Sequence, residues 1–328
     1  MPTTILASRY NNLRSSTNFV LGTSDVSAPN YGYGQALTTS SVIGTRAVDE
    51  PASASKIEAQ NYENLYIDLM RVRSHQVGSS VAIANFVIGD YEANTETVDL
   101  IEESYVQGLE SLATNIVTDR LVVDAANLDV ASIPAASSTR PASFAWSSQL
   151  SHIFTITFDT VVERRHFFNA GGEIRLSASV DYTGSQAKTV DWQSILNSMG
   201  STSFKAENTT NNAAVGTGSS IGNYDLSNSY KLVYSRSGGS VYARNRYNIY
   251  AKEYATGNAT SAIQFKVDFV DGAPNNLDGN GIDELVYGSF NSIIESATPN
   301  SQIAINGTVY DAVVIDIVPA AALIRPLS

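Results

Sequence analysis

Cysteine is absent from this chain of 328 residues, and histidine occurs only three times. The first absence excludes disulfides, thiol nucleophiles and thiolate metal ligands. His75, His152 and His166 stand in unrelated contexts, and none of them pairs with another at the i, i+4 spacing of a helical zinc site. Stability must therefore come from packing and from assembly.

Charge is also scarce, at 16% of the residues, and acidic side chains outnumber basic ones by 32 to 20. The formal net charge of −12 repels a phosphate backbone, so we expect no nucleic-acid binding. The sequence has no apolar run of about eighteen residues and no basic segment followed by an apolar core at its start. We therefore expect neither membrane insertion nor a secretion signal.

Residues 1–51 are rich in Ser, Thr, Gly and Tyr without a sustained period, and Pro29 and Pro51 interrupt any helix. This composition predicts an extended N-terminal arm that a partner would order. We expect its assembly contacts to be the residues that have no evident internal core to join, which are Tyr10, Asn11, Leu13, Tyr31 and Tyr33.

Residues 52–134 carry two helical patterns and predict a small helical attachment unit. Ser55 and Glu58 form a capping box ahead of a helix over about residues 56–73. A second helix is predicted from near Thr95 to Ile116. The apolar stripes that we expect to bury each other are Tyr62, Leu65, Tyr66, Leu69 and Met70 in the first helix, and Val98, Ile101, Tyr105, Leu109, Leu112 and Ile116 in the second.

Beyond a proline-bounded stretch at 132–141, which predicts a linker, the period changes to that of strands. One short helix interrupts, with Thr189 or Asp191 as its cap and Gly200 as its end. Residues 135–328 therefore predict an antiparallel β-sandwich, and the whole chain an α+β, mainly β fold. The alternating apolar sets are Phe154, Ile156 and Phe158; Ile174, Leu176, Ala178 and Val180; Tyr230, Leu232 and Tyr234; Ile263, Phe265, Val267 and Phe269; and Val313, Ile315 and Ile317.

The nearest approach to a metal site is Asn276, Asp278 and Asn280, whose alternation resembles the opening of a calcium-binding EF-hand loop. The twelfth position of such a loop is Tyr287 instead of Glu, and the segment follows a strand. A polar hairpin from Phe269 to Leu285 without metal is the favoured interpretation, and Ca²⁺ is the alternative. We expect no other cofactor.

Catalytic motifs are missing: the chain has no G-x-S-x-G, and the glycines of 216–222 fit a β-turn better than a phosphate cradle. Adjacent carboxylates such as Glu102 and Glu103, or Asp283 and Glu284, are typical of a solvated surface. We therefore expect a protein that is not an enzyme.

Tyrosine, in contrast, occurs 17 times. Tyr230 and Tyr234, and likewise Tyr250 and Tyr254, fall on alternating strand positions that predict a shared face. A ring with a flat apolar face and a polar tip serves sheet packing, protein interfaces and sugar stacking. Sheet packing is favoured among these three uses, and all three remain open at this point.

Seven segments of the sequence together carry a resemblance to one known family of proteins. The C-terminal ones are H-F-F-N-A-G-G-E-I-R-L-S-A-S from His166, V-D-W-Q-S-I-L-N-S-M-G from Val190 and G-T-G-S-S-I-G-N-Y-D-L from Gly216. The N-terminal ones are Y-N-N-L from Tyr10, Y-G-Y-G-Q from Tyr31, N-L-Y-I-D from Asn64 and R-S-H-Q-V-G from Arg73.

These segments resemble those of a family of virion structural proteins of tailed bacteriophages. The resemblance implies a component of the neck, tail, baseplate or fibre, assembled in the host cytoplasm and retained in the virion. It further implies contacts with other virion proteins and a three-fold or six-fold homo-oligomer. The alternative is a receptor- or glycan-binding tip that recognises host sugars through Tyr and Asn side chains. A third hypothesis, a polysaccharide depolymerase, requires two carboxylates within about ten ångströms of each other in an open groove.

Overall fold

The computed structural model of the protein describes residues 7–21, 32–33, 59–78, 103–140, 145–158, 161–256, 259–273, 285–299 and 314–316. The chain divides into two units. The first comprises residues 1–129, 165–171 and 299–311, and the second comprises residues 130–164, 172–298 and 312–328. None of the helices in the described ranges combines the length and apolar character needed to span a bilayer.

The first unit contains helices α1 (Ala7–Leu21), α2 (Ala59–Val77) and α3 (Glu103–Thr118), and each helix packs against the other two. The two predicted helices, α2 and α3, are thereby confirmed, although the start predicted near Thr95 lies outside the described residues. Apolar side chains of all three helices form one core. Its helical members are Tyr10, Leu13, Val20 and Leu21; Tyr62, Leu65, Leu69 and Val72; and Val106, Leu109, Leu112, Ala113 and Ile116, and it also includes Tyr33 and Ala170.

Helix α1 corrects the prediction that this part of the arm is extended. Tyr10, Leu13, Thr17 and Val20 lie on its buried face at helical spacing, but the polar Thr17 interrupts the apolar stripe. The Thr17 hydroxyl donates a hydrogen bond to the Leu13 carbonyl at 2.9 Å, which allows that side chain to be fully buried. Tertiary packing thus stabilises a helix that has no strong apolar period of its own.

The second unit contains two five-stranded antiparallel sheets. In chain order the strands are β1 (Leu128–Arg140), β2 (Gln149–Thr157), β3 (Glu173–Asp181), β4 (Thr202–Phe204), β5 (Thr209–Asn211), β6 (Lys231–Ser237), β7 (Arg246–Thr256), β8 (Ala259–Val270), β9 (Ser289–Pro299) and β10 (Val314–Asp316). The first sheet has the order β1-β9-β3-β4-β5 and the second β10-β2-β8-β7-β6. Helix α4 (Val161–Asn169) follows β2 in the chain, and α5 (Ala187–Asn197) follows β3.

The two sheets pack face to face. The ring centroids of Phe269 in β8 and Phe290 in β9 lie 5.1 Å apart, and those of Phe204 in β4 and Phe265 in β8 are also 5.1 Å apart. Trp192 of α5 joins the same cluster, with its ring 5.8 Å from that of Phe269. The sandwich and the α+β class are therefore confirmed.

Two local predictions in this unit are wrong. The stretch at 132–141, predicted to be a linker, lies within β1 as far as Arg140, because pairing with a neighbouring strand overrides weak local propensity. The cap of α5 is Gln186, with neither Thr189 nor Asp191 in that position, and both of those residues belong to the helix. Gly200 follows the helix with a φ of +60°, as its predicted role at the end requires.

The hairpin predicted from Phe269 to Leu285 falls mostly on residues 274–284, which lie outside the described residues, but the described strands before and after it do not pair with each other. Strand β8 pairs with β2 and β7 in the second sheet, whereas β9 pairs with β3 in the first. The chain between them therefore passes from one sheet to the other. Asp-Gly and Asn-Gly favour a reversal of the chain, but they do not decide which sheet the next strand joins.

Candidate functional site

The residues predicted to make assembly contacts are largely part of the first unit's own core. Tyr10 and Leu13 are each 2% exposed, and Tyr33 is 1% exposed. The Tyr10 ring meets the Tyr62 ring edge-on at 5.2 Å, and the Tyr33 hydroxyl accepts a hydrogen bond from Gln76 Nε2 at 3.1 Å. The premise that these side chains have no internal core to join is therefore wrong.

The two remaining arm residues differ from these three. Asn11 is half-buried on α1, and Tyr31 lies outside the described residues. The calcium candidates Asn276, Asp278 and Asn280 also lie outside them. Within the ranges that the structure describes, no group of three acidic or histidine side chains is arranged to hold a metal ion.

The histidines occupy separate buried positions. His152 Nδ1 lies 2.9 Å from Ser292 Oγ, but the two residues are each 1% exposed between the sheets, where no substrate reaches them. His75 Nε2 lies 2.7 Å from the Ala170 carbonyl oxygen within the first unit. Burial lowers the pKa of His75 to about 4 and has the same effect on His166.

We expect the first unit to lose stability as the pH falls from about 7 to about 5. The reason is that His75 binds a proton in the unfolded chain in this pH range, whereas the buried His75 of the folded unit does not. For a pKa lowered from 6.5 to about 4, the loss at pH 5 is roughly 2 kcal/mol per histidine. His75→Gln keeps a donor for the Ala170 carbonyl and should remove the His75 share of this loss. Urea unfolding followed by circular dichroism at both pH values measures it.

The control for this experiment lies within the same chain. Both tryptophans, Trp146 and Trp192, belong to the second unit, so their fluorescence reports that unit separately. A His75→Gln protein with the same acid sensitivity as the parent would contradict the assignment.

The glycine-rich segment 216–222, named here the glycine clasp, connects the edges of the two sheets. The Ser219 and Thr209 backbones exchange two hydrogen bonds, at 2.8 and 3.0 Å, at strand β5 of the first sheet. The Thr217 and Ser235 backbones likewise exchange two, at 2.8 and 3.0 Å, at strand β6 of the second. The clasp thus pairs with two edge strands that would otherwise present free backbone groups.

Close approach of backbones explains the glycines of the clasp. A Cβ on Gly218 would lie 2.3 Å from the Thr209 carbonyl oxygen, and one on Gly222 would lie 2.5 Å from the Ala206 carbonyl oxygen. Gly216 has a φ of +72°, a conformation that favours glycine. The clasp and β5 line a shallow open cavity of about 410 Å³ whose side chains are all uncharged. The segment therefore has a structural explanation that involves no phosphate.

An aromatic and cationic array covers the outer face of the second sheet. We name it the tyrosine–lysine face, and its residues are Tyr230, Tyr250, Lys252, Tyr254 and Lys266. Lys252 Nζ lies 4.7 Å from the Tyr230 ring centroid and 5.4 Å from that of Tyr254. Lys266 Nζ lies 4.5 Å from the Tyr250 centroid and 5.4 Å from that of Tyr230. Each ammonium group therefore contacts two rings.

Hydrogen bonds hold the central ring of this face. The Tyr230 hydroxyl donates to Gln264 Oε1 at 2.7 Å, and Gln264 Nε2 donates to Thr155 Oγ1 at 3.2 Å. Burial, with a smaller contribution from Asp268, raises the pKa of Tyr230 to about 12, so its hydroxyl keeps its proton at neutral pH.

Sequence reasoning found the tyrosines of this face but not its lysines. The sequence signal for Lys252 is the alternation of Tyr250, Lys252 and Tyr254 along β7, which places the lysine on the same face as the two tyrosines. The predicted pairing of Tyr230 with Tyr234 is wrong, because the register shifts between Leu232 and Tyr234. Leu232 is consequently 44% exposed, whereas Tyr234 is 1% exposed and packs against Tyr247 inside the sandwich.

Comparisons with known proteins give no match to this chain, whether with family models, curated proteins or solved structures.

Proposed function

We propose that the protein is a structural component of a tailed-bacteriophage virion, without enzymatic activity, that acts by homo-oligomeric assembly and by attachment to other virion proteins. Neck, tail, baseplate and fibre are the locations that the resemblance implies. The observation that carries the proposal is that the segments resembling this family have structural roles. Their side chains fill the cores of the two units, and their glycines allow neighbouring backbone segments to approach each other closely.

In the first of these segments, Phe167 and Phe168 are buried at 0% and 1% exposure, and the inward side chains of β3 belong to the sandwich core. The second segment is mostly α5, whose Trp192, Ile195 and Leu196 are buried. The third is the glycine clasp. Segments that carry chemistry place reactive groups in a cleft, whereas these segments build a scaffold, as an assembly protein requires.

The middle of the outer face of the first sheet supplies a patch suited to such assembly. Ser177 opposes Ile293, and Ser179 opposes Asn291, across the β3–β9 pair. These side chains are uncharged, and Ile293 is 39% exposed. This uncharged patch lies between the Arg175–Glu295 pair on one side and Asp181 on the other. An uncharged patch closes against a partner without leaving buried charges unpaired, which favours repeated contacts between copies.

The direct test of this proposal is peptide mass spectrometry of purified phage particles, together with light scattering of the recombinant chain. We expect the protein in intact particles at a constant copy number, and a homo-oligomer in solution. Its recovery only from the soluble lysate, with none in the particles, would contradict a structural role.

A charge placed on the β3–β9 face then tests the assembly surface. Ser179→Lys with Ile293→Lys should reduce incorporation several-fold without changing tryptophan fluorescence, because each new ammonium group must be desolvated in the interface. Val241→Lys is the matched control, since Val241 is 57% exposed and belongs to the same unit. Deletion of residues 1–50 is a poor test, because it removes α1 from the core of the first unit.

A further inference from the structure

We propose that the tyrosine–lysine face binds a carboxylated polysaccharide. The inference concerns the outer face of the second sheet alone, and it holds whether or not the chain is part of a virion. It rests on the fixed positions of two ammonium groups, on the rings between them and on the hydrogen-bonding groups beside them.

The two ammonium groups are close together and only partly neutralised. Lys252 and Lys266 lie 4.7 and 5.4 Å from the same Tyr230 centroid. They are therefore at most about 10 Å apart, near one Debye length at physiological salt. Lys266 pairs with Asp268 at 2.8 Å, whereas Lys252 forms no ion pair with any residue that the structure describes. A carboxylate of the ligand would relieve the repulsion between the two ammonium groups.

The face is also ordered before any ligand arrives. Lys252 and Lys266 are each held between two rings, and Tyr230 is held by its hydrogen bond to Gln264. Binding a ligand therefore immobilises few additional side-chain rotamers. The loss of rotamer freedom is the largest entropic cost when flexible lysines bind a ligand. In a chain of net charge −12, these ordered cations attract an anion that most of the remaining surface repels.

The chemistry favours a sugar polymer over an acidic peptide. Partly exposed tyrosine rings offer flat apolar surface for the C–H faces of pyranose rings, and their hydroxyl groups exchange hydrogen bonds with sugar hydroxyls. The outward positions of neighbouring strands form a broad surface along which a repeating polymer contacts several rings. An acidic peptide has no comparable stacking face and must order its own backbone.

The test is isothermal titration of the full-length protein with polygalacturonate, with neutral dextran and polyglutamate as comparison polymers. We expect binding to polygalacturonate that weakens as salt is raised, and weaker or no binding to the other two. Lys252→Gln should weaken this binding about tenfold, since it removes a charge-assisted contact. Tyr254→Leu, which keeps an apolar side chain but removes the ring, should also weaken it several-fold.

Lys205→Gln is the matched control, because it removes the same charge from the first sheet, where Lys205 is 40% exposed and pairs with Glu173. It should leave the affinity unchanged. The proposal is overturned if polygalacturonate fails to bind, if polyglutamate binds as tightly, or if Lys252→Gln and Lys205→Gln have equal effects. Unchanged tryptophan fluorescence shows that each variant is folded in this unit.

Discussion

Replacing Lys188 by Met is expected to destabilise the second unit by about 3–5 kcal/mol. Lys188 Nζ and Asp271 Oδ2 form an ion pair at 3.1 Å with side-chain exposures of 0% and 1%. Methionine fills a similar volume but leaves the carboxylate of Asp271 without its cation in a region of low polarity. Urea unfolding followed by the fluorescence of Trp146 and Trp192 measures the loss in the unit that contains both residues.

The pH dependence identifies the cause of this loss. Burial already raises the pKa of Asp271, and the neighbouring Lys188 opposes that rise. In Lys188→Met no cation opposes the rise in the pKa of Asp271. The loss of unfolding free energy therefore grows as the pH rises above the ordinary pKa of an Asp side chain, and it shrinks in acid, where the carboxyl group is protonated. The difference from the parent protein should therefore be smaller near pH 4 than near pH 7.

An ion pair whose lysine is exposed, in the same unit, provides the comparison. Lys205→Met breaks the contact of Lys205 with Glu173 at 3.2 Å, where the lysine is 40% exposed. The Glu173 side chain is only 8% exposed, but it keeps its ion pair with Arg175 at 3.0 Å when Lys205 is replaced. The loss should therefore be at most about 1 kcal/mol, and this variant should unfold close to the parent. If Lys188→Met and Lys205→Met unfold alike at neutral pH, the buried pair does not have the role assigned to it.

The sequence predicts those elements whose local period and tertiary environment agree. Strand β8 is one case, since Ile263, Phe265, Val267 and Phe269 alternate in the sequence and are all fully buried. Helix α3 is another, with a continuous apolar stripe. In contrast, α1 and β1 are stabilised by packing and strand pairing with distant parts of the chain, which the local sequence does not reveal. Composition alone therefore predicted an extended arm in place of α1 and a linker in place of β1.

The tyrosine–lysine face of the second sheet shows that a surface site is also difficult to predict from local sequence. A register shift between Leu232 and Tyr234 places Tyr230 outside and Tyr234 inside, although simple alternation puts them on one face. Lys266 reaches the rings from β8, a strand whose alternation predicts only its buried face. Sites assembled across strands depend on the register, and the register depends on the whole sheet.

Gly218→Ala is expected to destabilise the second unit by about 3 kcal/mol, the sum of a steric clash and weakened hydrogen bonds. The added methyl group would lie 2.3 Å from the Thr209 carbonyl oxygen, which itself accepts the hydrogen bond from Ser219 N at 3.0 Å. Because both partners are backbone, neither can rotate away as a side chain does. The clasp must move off β5, and thermal unfolding followed by tryptophan fluorescence should show the loss.

Gly200→Ala separates steric clash from backbone strain. Gly200 has a φ of +60°, but a Cβ there would meet only the Ala213 methyl group, at 3.9 Å. Its substitution should cost about 1 kcal/mol, from the left-handed conformation alone. Gly218→Ala should in addition expose the edges of β5 and β6 and promote aggregation on heating, because unpaired edges recruit strands of other molecules. Equal stability of the two variants, with no added aggregation, would mean that the clasp does not secure the sandwich edge.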